Sequence, residues 1–189
     1  MRRRAIPQFV FSMGAALWLA ACSPKAAPSV AQPTQQYRLT ATVQELMDGL
    51  IDPSADTLWD SVAFIATTTG TEERRPRTDD DWKAVRSSAL NLIEAANLLS
   101  MPGRRVATDS PTTPPPGLGE LSHAEIQQRI DANHDAFVQF ARALQDSTLK
   151  ALGAIDAQDP QALMDAGGTI DEACEACHIT YWYPNQQRR

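Results

Sequence analysis

From residue 41 onward, apolar side chains recur three and four residues apart in four successive stretches, a period that commits the chain to helices each burying one face. Val43, Met47, Leu50, Leu58, Val62 and Ile65 form the first stripe, over about 41–67. Asp52-Pro53 interrupts it, as a kink or as a break with Asp52 capping a second piece. The second stripe, about 79–100, carries Trp82, Val85, Ala89, Leu92, Ile93, Ala96 and Leu99 behind the capping residues Thr78 and Asp81, and Pro102-Gly103 stops it. The third opens on the capping-box pattern Ser122-x-x-Glu125 and runs through Ile130, Phe137, Ala141 and Leu144 to about 155. Asp159 and Pro160 start the fourth, which reaches about 182 before Pro184. No strand-like alternation, internal repeat or glycine-rich phosphate loop stands out. The expectation is an all-α, antiparallel up-down four-helix bundle, its first helix kinked or broken at Pro53, with a long Pro-rich loop at 101–120.

The residues ahead of 41 read differently. Arg2, Arg3 and Arg4 precede a mostly apolar run, Phe9 to Ala21, too short for a comfortable membrane span, so residues 1–21 read as an export signal. Leu19-Ala20-Ala21-Cys22 resembles the lipobox of bacterial lipoproteins, whose cysteine is lipidated. The alternative is an ordinary small-residue cleavage site. Cysteine arithmetic favours lipidation of Cys22, since the chain has three cysteines and the other two lie together near its end. Ser23 after it points to the outer membrane. Residues 22–40, with three prolines and no apolar period, read as a tether reaching ~20–25 Å. The expected domain is therefore 41–189, held to a membrane on the periplasmic side. Removing 1–21 changes the net charge from −6 to −6 − 3 = −9, which argues against nucleic acid and suits a partner with a basic docking face.

The chemistry lies in the last stripe. Cys174-Glu175-Ala176-Cys177-His178 is C-x-x-C-H, the attachment pattern of c-type haem. On a helix the spacings of three and four put both thiols and the imidazole on one face. Two thiols can then add to two vinyl groups while His178 reaches the iron. A dithiol redox site wants a strand-to-helix context that is missing here. Zinc wants a fourth ligand with no obvious source, and a structural disulfide is the remaining alternative.

A four-helix bundle with C-x-x-C-H in its last helix resembles the class II c-type cytochromes, the cytochrome c′ family, over roughly residues 41–184. Members often follow the haem histidine with x-x-Tyr and a basic residue. Tyr181 keeps the tyrosine, and Trp182 stands at the basic position. The resemblance implies one covalent haem c and, in the low-spin branch, a methionine early in the first helix, often as Leu-Met, which Leu46-Met47 resembles. Depth agrees with Met47: His178 lies ~7.5 Å from its helix end and Met47 ~9 Å from its own, at the same end of an antiparallel bundle. The alternative is that Met47 fills space in the core. His134, ~18 Å into the third helix, is too deep to reach the iron, and His123 and Met101 are peripheral. Trp59, Trp82, Phe137 and Phe140 are expected in the core. Tyr181, Trp182 and Tyr183 either screen the haem edge or pack the bundle end.

The function expected is single-electron transfer through one haem, with no catalytic residues of the chain's own. The partners are redox proteins such as periplasmic dehydrogenases or oxidases, and the membrane through the lipid. The competing readings are a five-coordinate haem protein that binds NO or CO, and a non-haem dithiol lipoprotein. Dimerisation, common in the family, is left open by the apolar stripes.

Overall fold

A computed structural model of the chain describes residues 37–108, 110, 113 and 115–186. The expected signal segment, Cys22 and most of the tether lie outside these residues. Within them the fold is mainly helical with one small two-stranded sheet. The elements are α1 (Val43–Leu46), a π-helical turn (Met47–Ile51), α2 (Asp52–Ser61), β1 (Ala63–Thr67), β2 (Gly70–Arg74), α3 (Asp79–Leu99), α4 (His123–Ala132), α5 (His134–Asp156) and α6 (Pro160–Tyr181). α5 packs along α3 and α6, and α2 meets α3 and α6. The core between them is filled by Ile51, Leu58, Leu92, Phe137, Leu163 and Ile170, all essentially inaccessible. None of the described helices is long and apolar enough to cross a membrane.

Local chemistry explains the helix starts. Thr42, Thr78 and Ser122 each accept from the backbone N–H three residues on, while Glu45, Asp81 and Glu125 reach back to the cap residue's own N–H, so three helices begin with reciprocal capping boxes. Asp159 accepts from Gln161 and Ala162 N–H, both at 3.0 Å, and Pro160 occupies the first position of α6, where no N–H is needed.

Three expectations are corrected. The first stripe does not stay helical to residue 67. After Ser61 the chain enters an antiparallel hairpin, Ala63 pairing with Arg74 and Thr67 with Gly70, and Gly70 at φ +141° takes a conformation closed to most other residues. Phe64 and Ile65 suit a strand as well as a helix, and Phe64 remains 59% exposed. Second, the third stripe is two helices. Asn133, at φ −154° and ψ 73°, leaves the helical region, and its side chain accepts from Ala136 N–H at 3.1 Å to cap α5. His134 therefore opens a helix rather than lying deep within one. Third, Asp52 is helical and caps nothing. The irregularity falls just ahead of Pro53: Asp52 N–H donates to the Met47 carbonyl five residues back, so a π turn precedes a proline that has no N–H to give.

The loop after α3 is built into the fold over its first part. Its Arg105 and Val106 carbonyls accept from Val43 and Gln44 N–H at 2.9 and 3.0 Å, supplying acceptors to the first turn of α1. The buried Arg104 guanidinium donates to the Leu98 and Ala41 carbonyls and to Met101 Sδ. These bonds fix the first turn of α1, which leads into the π turn that Met47 begins.

Candidate functional site

α6 is a strong helix with an unfavourable middle, Gly167-Gly168, where each glycine costs about 1 kcal/mol against alanine. Close packing accounts for the first of them. A Cβ on Gly167 would stand 3.1 Å from Trp59 Cδ1, and the Trp59 indole N–H donates to the Gly167 carbonyl at 3.0 Å. Trp59 thereby pins α2 to α6 just below the place where Cys174, Cys177 and His178 emerge from one face of α6.

Those three half-buried side chains open onto a cleft with a cavity volume of about 180 Å³. Met47 and Ile51 from the π turn, Ala55 and Trp59 from α2, and Phe137 and Phe140 of α5 line it as well. The cleft thus gathers two thiols, one imidazole and one thioether among apolar and aromatic surfaces. Trp82 and Phe137 are buried as expected, whereas Trp59 and Phe140 are half-buried and line the cleft. Tyr181 is buried, edge-on to Phe137 and Phe140 at ring separations of 5.3 and 5.7 Å, contacts worth about 0.5–1.5 kcal/mol each.

Both cysteines are free thiols. Burial pushes Cys174 up to about 11, with the Asp171 and Asp52 carboxylates adding to the rise. Burial pushes Cys177 up to about 12, and Cys174 adds to it. Such thiols stay neutral at physiological pH, the reverse of what an exchanging dithiol needs. No group of three or more His, Cys, Asp or Glu among the described residues is arranged to hold a metal ion. Asp52 stands at the rim, where desolvation raises its carboxyl above the usual range; His178 opposes that rise, and Asp48 and Asp56 reinforce it.

No family model, curated protein or solved structure matches the chain. The site is therefore read from its own residues.

A second, more polar cleft of about 220 Å³ shares Met47, Asp52 and His178 with the first and adds His123, Glu120 and Tyr183. His123 is thus not peripheral. It reaches this wall because Leu121 N–H bonds the Trp182 carbonyl at 2.8 Å, folding the start of α4 onto the end of α6. His134 and Met101 line neither cleft. From the sequence, Asp52 is only a candidate cap and His123 is peripheral, and the bond from Tyr183 Oη to Glu175 Oε2, 2.7 Å long, has no sequence signal.

Proposed function

We propose that the chain is a class II c-type cytochrome that carries single electrons. Its helices are read as an up-down four-helix bundle, α2, α3, α5 and α6 forming the ring and α4 extending α5. One haem is held covalently by Cys174 and Cys177, with His178 and Met47 as iron ligands. The observation that carries the reading is the shared cleft: Cys174, Cys177 and His178 of α6 and Met47 of the π turn line one mainly apolar cleft whose lining also includes Asp52, Asp171 and Glu175. This donor set fits the group, because two neutral thiols and an imidazole share one face, and a thioether stands on another element. When bound, the haem supplies a one-electron couple, which Met/His ligation sets at a raised potential.

The chain's own residues do the rest. Cys174 and Cys177 fix the group's edge to α6, His178 and Met47 present a nitrogen and a sulfur from separate elements, and Phe137, Phe140 and Ile51 keep water from the buried side. An electron enters from a reduced donor protein and leaves to an oxidised acceptor, with no bond made or broken in the chain. Lipidation at Cys22 would tether the domain to a membrane facing the periplasm, the outer membrane being favoured by Ser23, and dehydrogenases or oxidases of that compartment are the partners this chemistry suits.

Optical spectra of the purified domain, ferric and ferrous, with and without CO, test the proposal. Low-spin spectra with a far-red methionine-to-ferric-iron band and no rapid CO response are expected. High-spin spectra that change at once with CO would transfer the function to binding NO or CO. Absence of covalent haem from cells competent in c-type maturation would overturn the whole reading.

A further inference from the structure

Beyond α6 the chain turns back over His178. The Trp182 and Tyr183 N–H groups both donate to the His178 carbonyl, at 2.8 and 3.1 Å, and the Trp182 carbonyl accepts from Leu121 N–H at 2.8 Å. The rings of Trp182 and Tyr183 lie 5.8 and 6.0 Å from the imidazole, centroid to centroid. The Tyr183 hydroxyl then crosses back along α6 and donates to Glu175 Oε2 at 2.7 Å. Glu175 precedes His178 by three residues and Tyr183 follows it by five, so this bond spans the histidine from one side of its turn to the other. The strap is fixed at one end by backbone, to the loop before α4, and at the other by a charge-assisted side-chain bond.

We infer that Tyr183 is a positioning residue for His178: its bond to Glu175 latches the C-terminal turn, with Trp182, against the imidazole, orienting the ring and keeping water from its outer side. The inference rests on His178 being an iron ligand, as proposed above. Groups that orient a ligating histidine tune the metal behind it, and water admitted at that side favours the more highly charged ferric state. Trp182 packs against the core and the backbone bonds hold the turn, while the latch bond ties the Tyr183 side chain itself back to α6.

The test compares Tyr183→Phe, which keeps the ring and removes the hydroxyl, in the native chain and in a Glu175→Ala background. In the haem-loaded native chain, Tyr183→Phe is expected to raise the ferric-to-ferrous ratio at fixed poise about threefold, close to half of the 59 mV that a tenfold change in a one-electron equilibrium represents. In the Glu175→Ala background the same substitution should add almost nothing, because the bond is already gone. Amide exchange at Trp182 and Tyr183 should quicken in either single variant, a readout that does not depend on haem. An unchanged potential in Tyr183→Phe, equal shifts in both backgrounds, or unchanged exchange at those amides would each overturn the latch. Should Tyr183→Phe fail to fold, the exchange measured in Glu175→Ala alone decides. A native chain without haem sinks the functional reading, whereas a haem-loaded chain indifferent to Tyr183→Phe sinks only the latch.

Discussion

On the cytochrome reading proposed above, Met47 is the residue on which electron transfer and gas binding part. It begins the π turn, lines both clefts that His178 lines, and carries a thioether, a soft ligand that suits a haem iron. Met47→Ala is expected to abolish the far-red ferric band and open a site where CO binds at once; identical spectra for variant and parent would show that the methionine is only packing. Two adjacent glycines make a second residue-scale test. Gly167→Ala drives a Cβ to 3.1 Å from Trp59, whose indole is held by its own hydrogen bond, while an added Cβ on Gly168 meets nothing within 4 Å. The first substitution should lower stability by about 1–3 kcal/mol and the second raise it by about 0.5–1 kcal/mol, read from urea denaturation. If both substitutions stabilised equally, Trp59 would not be the pin between α2 and α6. The Cys174, Cys177 and His178 face was legible in the sequence because helical spacing alone sets it. His123 and the Tyr183–Glu175 bond were not, because both depend on loop residues 117–121 meeting the end of α6, a non-local contact without a sequence period.

At the scale of elements, the helix starts carry a pH dependence whose sign follows from their caps. Bonds from the backbone N–H groups of Arg77 and Thr78 hold the Asp81 carboxyl below its usual range, and those from the Ser122 hydroxyl and backbone do the same for Glu125. A carboxylate whose folded value is depressed stabilises the fold above its unfolded value, about 3.9 for Asp and 4.3 for Glu, and loses that contribution as pH falls through the folded value. Thermal melting should therefore decline more steeply between pH 5 and 3 in the native chain than in an Asp81→Asn, Glu125→Gln double variant; parallel declines would remove the caps from the acid response. The box at Ser122 and a cap at Thr78 were readable in advance, since a cap is a local pattern. The breaks were harder. Ile130 and Phe137 stand seven residues apart, so the apolar stripe runs straight across Asn133 and hides the step from α4 to α5. Ile65 likewise extends the first stripe at helical spacing although the chain has already become β1, because a single exposed hairpin has no buried face to impose an alternation of its own.

The whole molecule is unevenly charged about its clefts. The chain is acidic, with 23 Asp and Glu against 17 Lys and Arg. The two clefts that share His178 are lined by Asp48, Asp52, Glu120, Asp171 and Glu175, and among the described residues no lysine or arginine lines either. Arg74, Arg75 and Arg77 instead follow the hairpin, in and after β2. A charged redox reagent approaching the site must meet this field before it exchanges an electron, and the field acts on the encounter over roughly 10 Å at 0.1 M salt. A cationic metal complex should accordingly oxidise or reduce the haem-loaded protein fastest at low ionic strength and slow as salt is added. An anionic complex of similar driving force should do the opposite. The two salt dependences, measured by stopped flow on one preparation, should converge at high ionic strength, where only the intrinsic transfer remains. If both reagents responded to salt in the same sense, electrons would be leaving through a surface other than the acidic rim around His178. If instead the opposite slopes are found, neutralising Asp48 and Glu120 together should flatten both while leaving their common high-salt limit in place.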